Sequence, residues 1–225
     1  MSALLALLSS LCWGSSDFVA GVLSRRLPAV AVVAWSQLWA FLALTVLLAA
    51  RGELGWGPWG PYAMVAGISG SGALICFYLA LSTGTMGVVA PVASLGVAVP
   101  VAVGLARGDQ AAASAWVGVV VAVTGIVLAS GPELSGGASP RPVILAVVAG
   151  LGFGVTLTVI DLGARESVIH TLWGMRATSV SLFVLAALVL RRTGGIPARR
   201  QPVLAAVGFT DLLANGLYAV ASTTG

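Results

Sequence analysis

Polar residues fall along this chain in short clusters, and between the clusters run apolar stretches of about twenty residues. A helix rises ~1.5 Å per residue, so such a stretch covers the ~30 Å hydrocarbon core of a bilayer. A soluble core would need only one buried face, so the pattern predicts membrane-spanning helices. The first span covers about 3–23 and ends at Ser24, Arg25, Arg26 and Pro28, because proline removes a backbone donor and cannot continue a helix. The second covers about 29–50 and closes at Arg51, Gly52 and Glu53. Trp56, Pro58, Trp59 and Pro61 then predict an interfacial loop, since indole rings favour the headgroup level.

The third span is about 62–81 and the fourth about 88–106, joined by STGTMG at 82–87, a turn tight enough to make them antiparallel neighbours. Pro91 and Pro100 break the fourth span, and their freed carbonyls are expected to face other helices or a wet cavity rather than lipid. The fifth is about 114–130. After GPELSGGASPR at 131–141, the richest Gly/Pro/Ser segment, follow a sixth at about 142–162, a seventh at 168–190 and an eighth at 203–223. The fold class is thus an all-α membrane protein of about eight transmembrane helices. The N-terminus lacks a basic region and a cleavage site, so its span is read as retained.

The pattern restarts beyond residue 141. A shift of 140 pairs Gly14 with Gly154, Arg25 with Arg165, Arg51 with Arg191 and Tyr78 with Tyr218, and FYLALSTG at 77–84 returns as LYAVASTTG at 217–225. The expected organisation is a first repeat at 1–131, a loop at 132–141 and an incomplete second repeat at 142–225. A unit of five spans is odd, so the second enters the bilayer from the opposite face. Inverted repeats place a shared site near the midplane and suit alternating access. A complete second unit would end near residue 280, two spans further on.

Composition narrows the partners. The chain is 59% hydrophobic and 8% charged, against roughly a quarter charged in a soluble domain. All eleven basic residues are arginine; the densest group, Arg191, Arg192, Arg199 and Arg200, lies in one short loop, so no nucleic acid is expected as a partner. Cys12 and Cys76 fall in spans as small hydrophobes. His170 is the only histidine, and no Cys/His/carboxylate group has metal spacing, so neither metal, cofactor nor enzymatic chemistry is expected. Gly67-x-x-x-Ser71 and Gly150-x-x-x-Gly154 predict close helix approach.

Four segments carry a family resemblance: Trp13-Gly14-Ser15-Ser16-Asp17-Phe18; Ser24-Arg25-Arg26-Leu27-Pro28; Phe77-Tyr78 followed by Val88-Val89-Ala90-Pro91; and Asp211-Leu212-Leu213-Ala214-Asn215-Gly216-Leu217-Tyr218. In these the chain resembles the EamA-type branch of the drug/metabolite transporter superfamily. The resemblance implies ten helices in two inverted five-helix repeats, and a solute exporter or exchanger of the bacterial inner membrane. It implies a central cavity lined mainly by the first, third and fourth helices of each repeat. The ninth and tenth helices are not in this sequence. The resemblance also implies a cytoplasmic N-terminus, which would put Arg51, Arg107 and Arg165 inside and the seven other loop arginines outside; the positive-inside rule prefers the reverse.

Asp17, Arg176 and Asp211 lie within spans, where an ionisable side chain costs roughly +2.5 to +3.5 kcal/mol near a helix centre. They are expected to face the interior. Arg176 lies about 12 Å from one face and Asp211 about 13 Å from the other, depths that allow an ion pair. Asp17 has Leu157 as its repeat partner, so it breaks the symmetry and is a candidate for proton coupling; snorkelling or pairing with Arg25 are the alternatives. Trp13, Trp35, Gln37, Tyr78, Asn215 and Tyr218 offer flat apolar area with polar edges, suited to orienting a small solute. Ordinary packing competes with that role for each. The candidate solute-binding set is Trp13, Asp17, Gln37, Tyr78, Arg176, Asp211, Asn215 and Tyr218. The leading function is a secondary transporter of a small metabolite. A non-transporting scaffold or inactive fragment is the alternative, and an intramembrane enzyme a weaker one.

Overall fold

A computed structural model of the chain describes residues 2–108, 116–121, 123–125, 128, 140–191 and 195–224. Helix α1 (Ser2–Ser24) gives way at Arg25 to a turn, and Pro28 precedes α2 (Ala29–Arg51). Gly52 closes α2 in the left-handed conformation (φ 67°), its N–H donating to the Ala49 carbonyl. Helix α3 (Gly60–Thr83) carries Pro61 in its first turn, where no helical donor is lost. After Gly84 and Thr85 comes the span α4 (Met86–Ala106), whose middle, Leu95–Val97, tightens into a 3₁₀ turn. Pro100 explains that turn: its ring clashes with the carbonyl four residues back, which is Gly96.

The helical run Pro140–Leu190 is two helices folded at Ser167, where the backbone is extended (φ −166°, ψ 115°). They are α5 (140–166) and α6 (168–190), and the close approach of Gly163 to Thr171 across the bend marks them as a hairpin. A 3₁₀ turn, Ala198–Arg200, leads into α7 (Gln201–Thr224). Seven spans therefore stand among the described residues, which contain no strand. The fifth predicted span, 114–130, lies largely outside them; its described residues 116–121 and 123–125 are helical.

Side-chain neighbours fix the helix directions. Asp17 meets Tyr78 and Gly21 meets Leu81, so α1 and α3 run parallel. Ser69 meets Thr156 while Gly84 meets Pro142, so α5 runs antiparallel to α3 and hence opposite to α1. Small residues permit the tightest crossings. A Cβ on Gly67 of α3 would lie 2.6 Å from Thr178 Cβ and 2.7 Å from the Met175 carbonyl of α6. Gly208 of α7 is pressed likewise on the Ser36 carbonyl of α2, and Gly150 and Gly154 of α5 admit the α4 backbone at Ala93 and Gly96.

Two apolar clusters fill the bundle. One gathers Ala20, Val32, Val33, Phe77, Ala149 and Leu204, and the other Leu44, Ala66, Ile160, Leu172 and Met175. Leu4, Leu7, Leu11, Val46, Leu185 and Leu188 point outward, a periphery suited to lipid. The two indoles of the predicted interfacial loop differ in exposure. Trp56 is exposed, but Trp59 is only 5% exposed, its ring 4.9 Å from Trp56, 5.6 Å from His170 and 6.0 Å from Trp173, where it wedges under the α5–α6 bend.

Candidate functional site

The glycine crossings place the charges. Gly67 brings α3 onto the residue before Arg176, and Gly208 brings α7 onto the residue before Gln37, so α2, α6 and α7 converge around one guanidinium. Arg176 Nη2 donates to Asp211 Oδ2 at 2.7 Å, and Nη1 donates to Gln37 Oε1. Asn215 Nδ2 donates to Asp211 Oδ1 at 3.2 Å and to the Asp211 carbonyl at 2.7 Å, which holds the carboxylate in register. All four side chains are buried. A buried ion pair is costly unless further hydrogen bonds serve its donors and acceptors, and here the Gln37 and Asn215 amides supply two of them. Arg176 Nε and the Ser71 hydroxyl are left buried without partners.

This network borders a cavity of about 550 Å³. Facing it, Asp17 of α1 accepts a hydrogen bond at Oδ1 from Tyr78 Oη of α3 at 3.0 Å. Asp17 makes no ion pair among the described residues, and Arg25 is not its partner. Trp13, one turn earlier, lies on the same face, and Phe77 and Phe153 meet edge to face with ring centroids 5.6 Å apart. The tightened turn of α4 contributes Gly96 and Val97 to the wall, so the proline break faces helix α5 and the cavity, as the unpaired carbonyls required.

Of the eight candidate solute-binding residues, Trp13, Asp17, Gln37, Arg176, Asp211 and Asn215 line the cavity. Tyr78 and Tyr218 stand behind it. Tyr78 holds Asp17, while Tyr218 donates to the Leu157 carbonyl at 3.3 Å and packs its ring 5.8 Å from Trp13. Trp35 packs on the larger apolar cluster instead. Sequence reasoning missed Ser71, Phe153, Thr156 and Ser179 as lining residues. The 140-residue shift held a signal for two of them, since it places Phe153 opposite Trp13 and Ser71 opposite Asp211.

Helices long and apolar enough to cross a bilayer, packed around a cavity with charged residues in its wall, define an integral membrane protein. The EamA-like transporter family model covers residues 1–131, more than half of the chain, and the chain belongs to that family. No curated protein and no solved structure matches it.

Proposed function

We propose that this chain is a secondary transporter that moves a small metabolite by alternating access around the cavity between its helices. The observation that carries the reading is the cavity itself: about 550 Å³, apolar on most sides, with Arg176, Asp211 and Asp17 presented to it inside membrane-spanning helices. Small-molecule sites occupy roughly 300–1,000 Å³, and charge at that depth is costly unless it serves a path or a partner.

Two inverted repeats, 1–131 and 142–225, are the scaffold of this proposal. The opposed directions of α1 and α5 support it. So does a repeated contact: Tyr78 reaches α1 at Asp17, and Tyr218 reaches α5 at Leu157, each across 61 residues. The family match spans the first of these repeats. In this scheme the two halves rock against each other about the shared cavity.

Asp17 is the proposed site of proton exchange, because its carboxylate faces the cavity with a phenol beside it and, among the described residues, no cation paired to it. The groups that set its charge are Tyr78 from α3 and, around the same cavity, Arg176 and Asp211. The membrane in question is the bacterial inner membrane, where a proton gradient is available. The test is solute flux in proteoliposomes with and without an imposed pH gradient. Gradient-driven flux that Asp17→Asn uncouples supports the proposal; flux indifferent to the gradient removes the proton from it.

A further inference from the structure

Among the described residues three ionisable groups face the cavity, and they do not cancel. Arg176 and Asp211 form a neutral pair, with both terminal nitrogens of the guanidinium engaged by Asp211 and Gln37. Asp17 is left as a carboxylate whose one hydrogen-bond donor is the Tyr78 phenol. An anionic solute would therefore enter beside the Asp17 carboxylate and an ion pair that carries no net charge. A cation meets the opposite situation, and in an apolar cavity like charges are felt strongly. The aromatic faces agree with the sign. Trp13 is one helical turn from Asp17 on the same face of α1, and Phe77 and Phe153 stand in the wall, so aromatic rings share the cavity with Asp17.

We infer that the cavity takes an organic monocation, a protonated amine on an aromatic or branched apolar body, with its ammonium at the Asp17 carboxylate and its body against Trp13, Phe77 and Phe153. The inference rests on the proposed carrier function, for which it names the solute class.

Three probes with the same phenyl ring and a similar short chain test the sign: 2-phenylethylamine (cation), phenylalanine (zwitterion) and phenylacetate (anion). Equilibrium binding of labelled 2-phenylethylamine to the purified full chain is measured at pH 7 with the other two as competitors. The amine is expected to bind at least tenfold more tightly than either. Asp17→Asn lowers its affinity at least tenfold with unchanged thermal unfolding, and Asp17→Glu restores most of it. The comparison on the wild-type chain needs no variant, so a misfolded Asp17→Asn protein leaves it decisive. Failure of the amine to bind, tighter binding of phenylacetate, or equal amine binding by a folded Asp17→Asn variant overturns the inference.

Exchange in proteoliposomes separates this from the carrier reading. Phenylacetate exchanged in place of the amine keeps the carrier and overturns the charge assignment. Amine bound through Asp17 but never moved across the bilayer keeps the charge assignment and removes the carrier.

Discussion

At the scale of single residues the account turns on Arg176. Arg176 is 2% exposed and its guanidinium meets Asp211 at 2.7 Å, so removing it strands a buried carboxylate. Breaking such a pair from one side costs about 3–5 kcal/mol, whereas removing both charges costs much less. Arg176→Gln is therefore expected to lower stability in detergent by about that amount, and Arg176→Gln combined with Asp211→Asn to recover most of it. Equal losses in the single and double variants would mean that the two charges act independently. The pair was legible in the sequence because helical rise alone puts both residues at matching depth. The partner of Asp17 was not: Tyr78 lies 61 residues away and only tertiary packing joins them. Arg25 failed as an alternative for a plain reason, since eight residues of helix set it about 12 Å further along α1.

At the scale of elements, seven of the predicted spans fall among the described residues, and their centres coincide with the helices. Their ends are less legible because hydropathy marks where lipid stops and not where hydrogen bonding stops. α5 continues to residue 166 through Asp161 and Arg165, which are polar yet helical and pair at 3.0 Å one turn apart. Trp59 turned inward because the α5–α6 bend offered it aromatic neighbours, a contact that no local pattern announces. The small-residue motifs were read correctly as sites of close approach, and they make a sharp prediction. Gly67→Val drives atoms into the Thr178 side chain and the Met175 carbonyl, so folded yield measured by size-exclusion chromatography is expected to collapse. Gly72→Ala in the same helix meets nothing within 4 Å and is expected to leave yield unchanged. Equal tolerance at both positions would contradict the α3–α6 crossing.

At the scale of the whole molecule, helix direction gathers charge at one end. Arg25 and Arg26 follow α1, Arg141 begins α5 beside the end of α3, and Arg199 and Arg200 lead into α7, which runs antiparallel to α1 through the Ser9–Ala214 contact. The positive-inside rule then predicts that this end faces the cytoplasm and that the N-terminus lies on the opposite side. An N-terminal epitope cleavable by protease outside intact cells is the expected result; protection there would favour the orientation that the family resemblance implies. The cavity was not legible in the sequence, because it forms only where helices far apart along the chain, such as α1, α3, α6 and α7, meet.

The central claim is that this cavity opens in turn to both sides of the membrane, and Gly14 is the place to ask. It lines the cavity, and a side chain there would meet nothing within 4 Å. With Cys12 and Cys76 replaced by alanine, a Gly14→Cys variant in sealed vesicles is challenged with a membrane-impermeant thiol reagent from each side separately. The account predicts labelling from both sides; labelling confined to one side under every condition would contradict it.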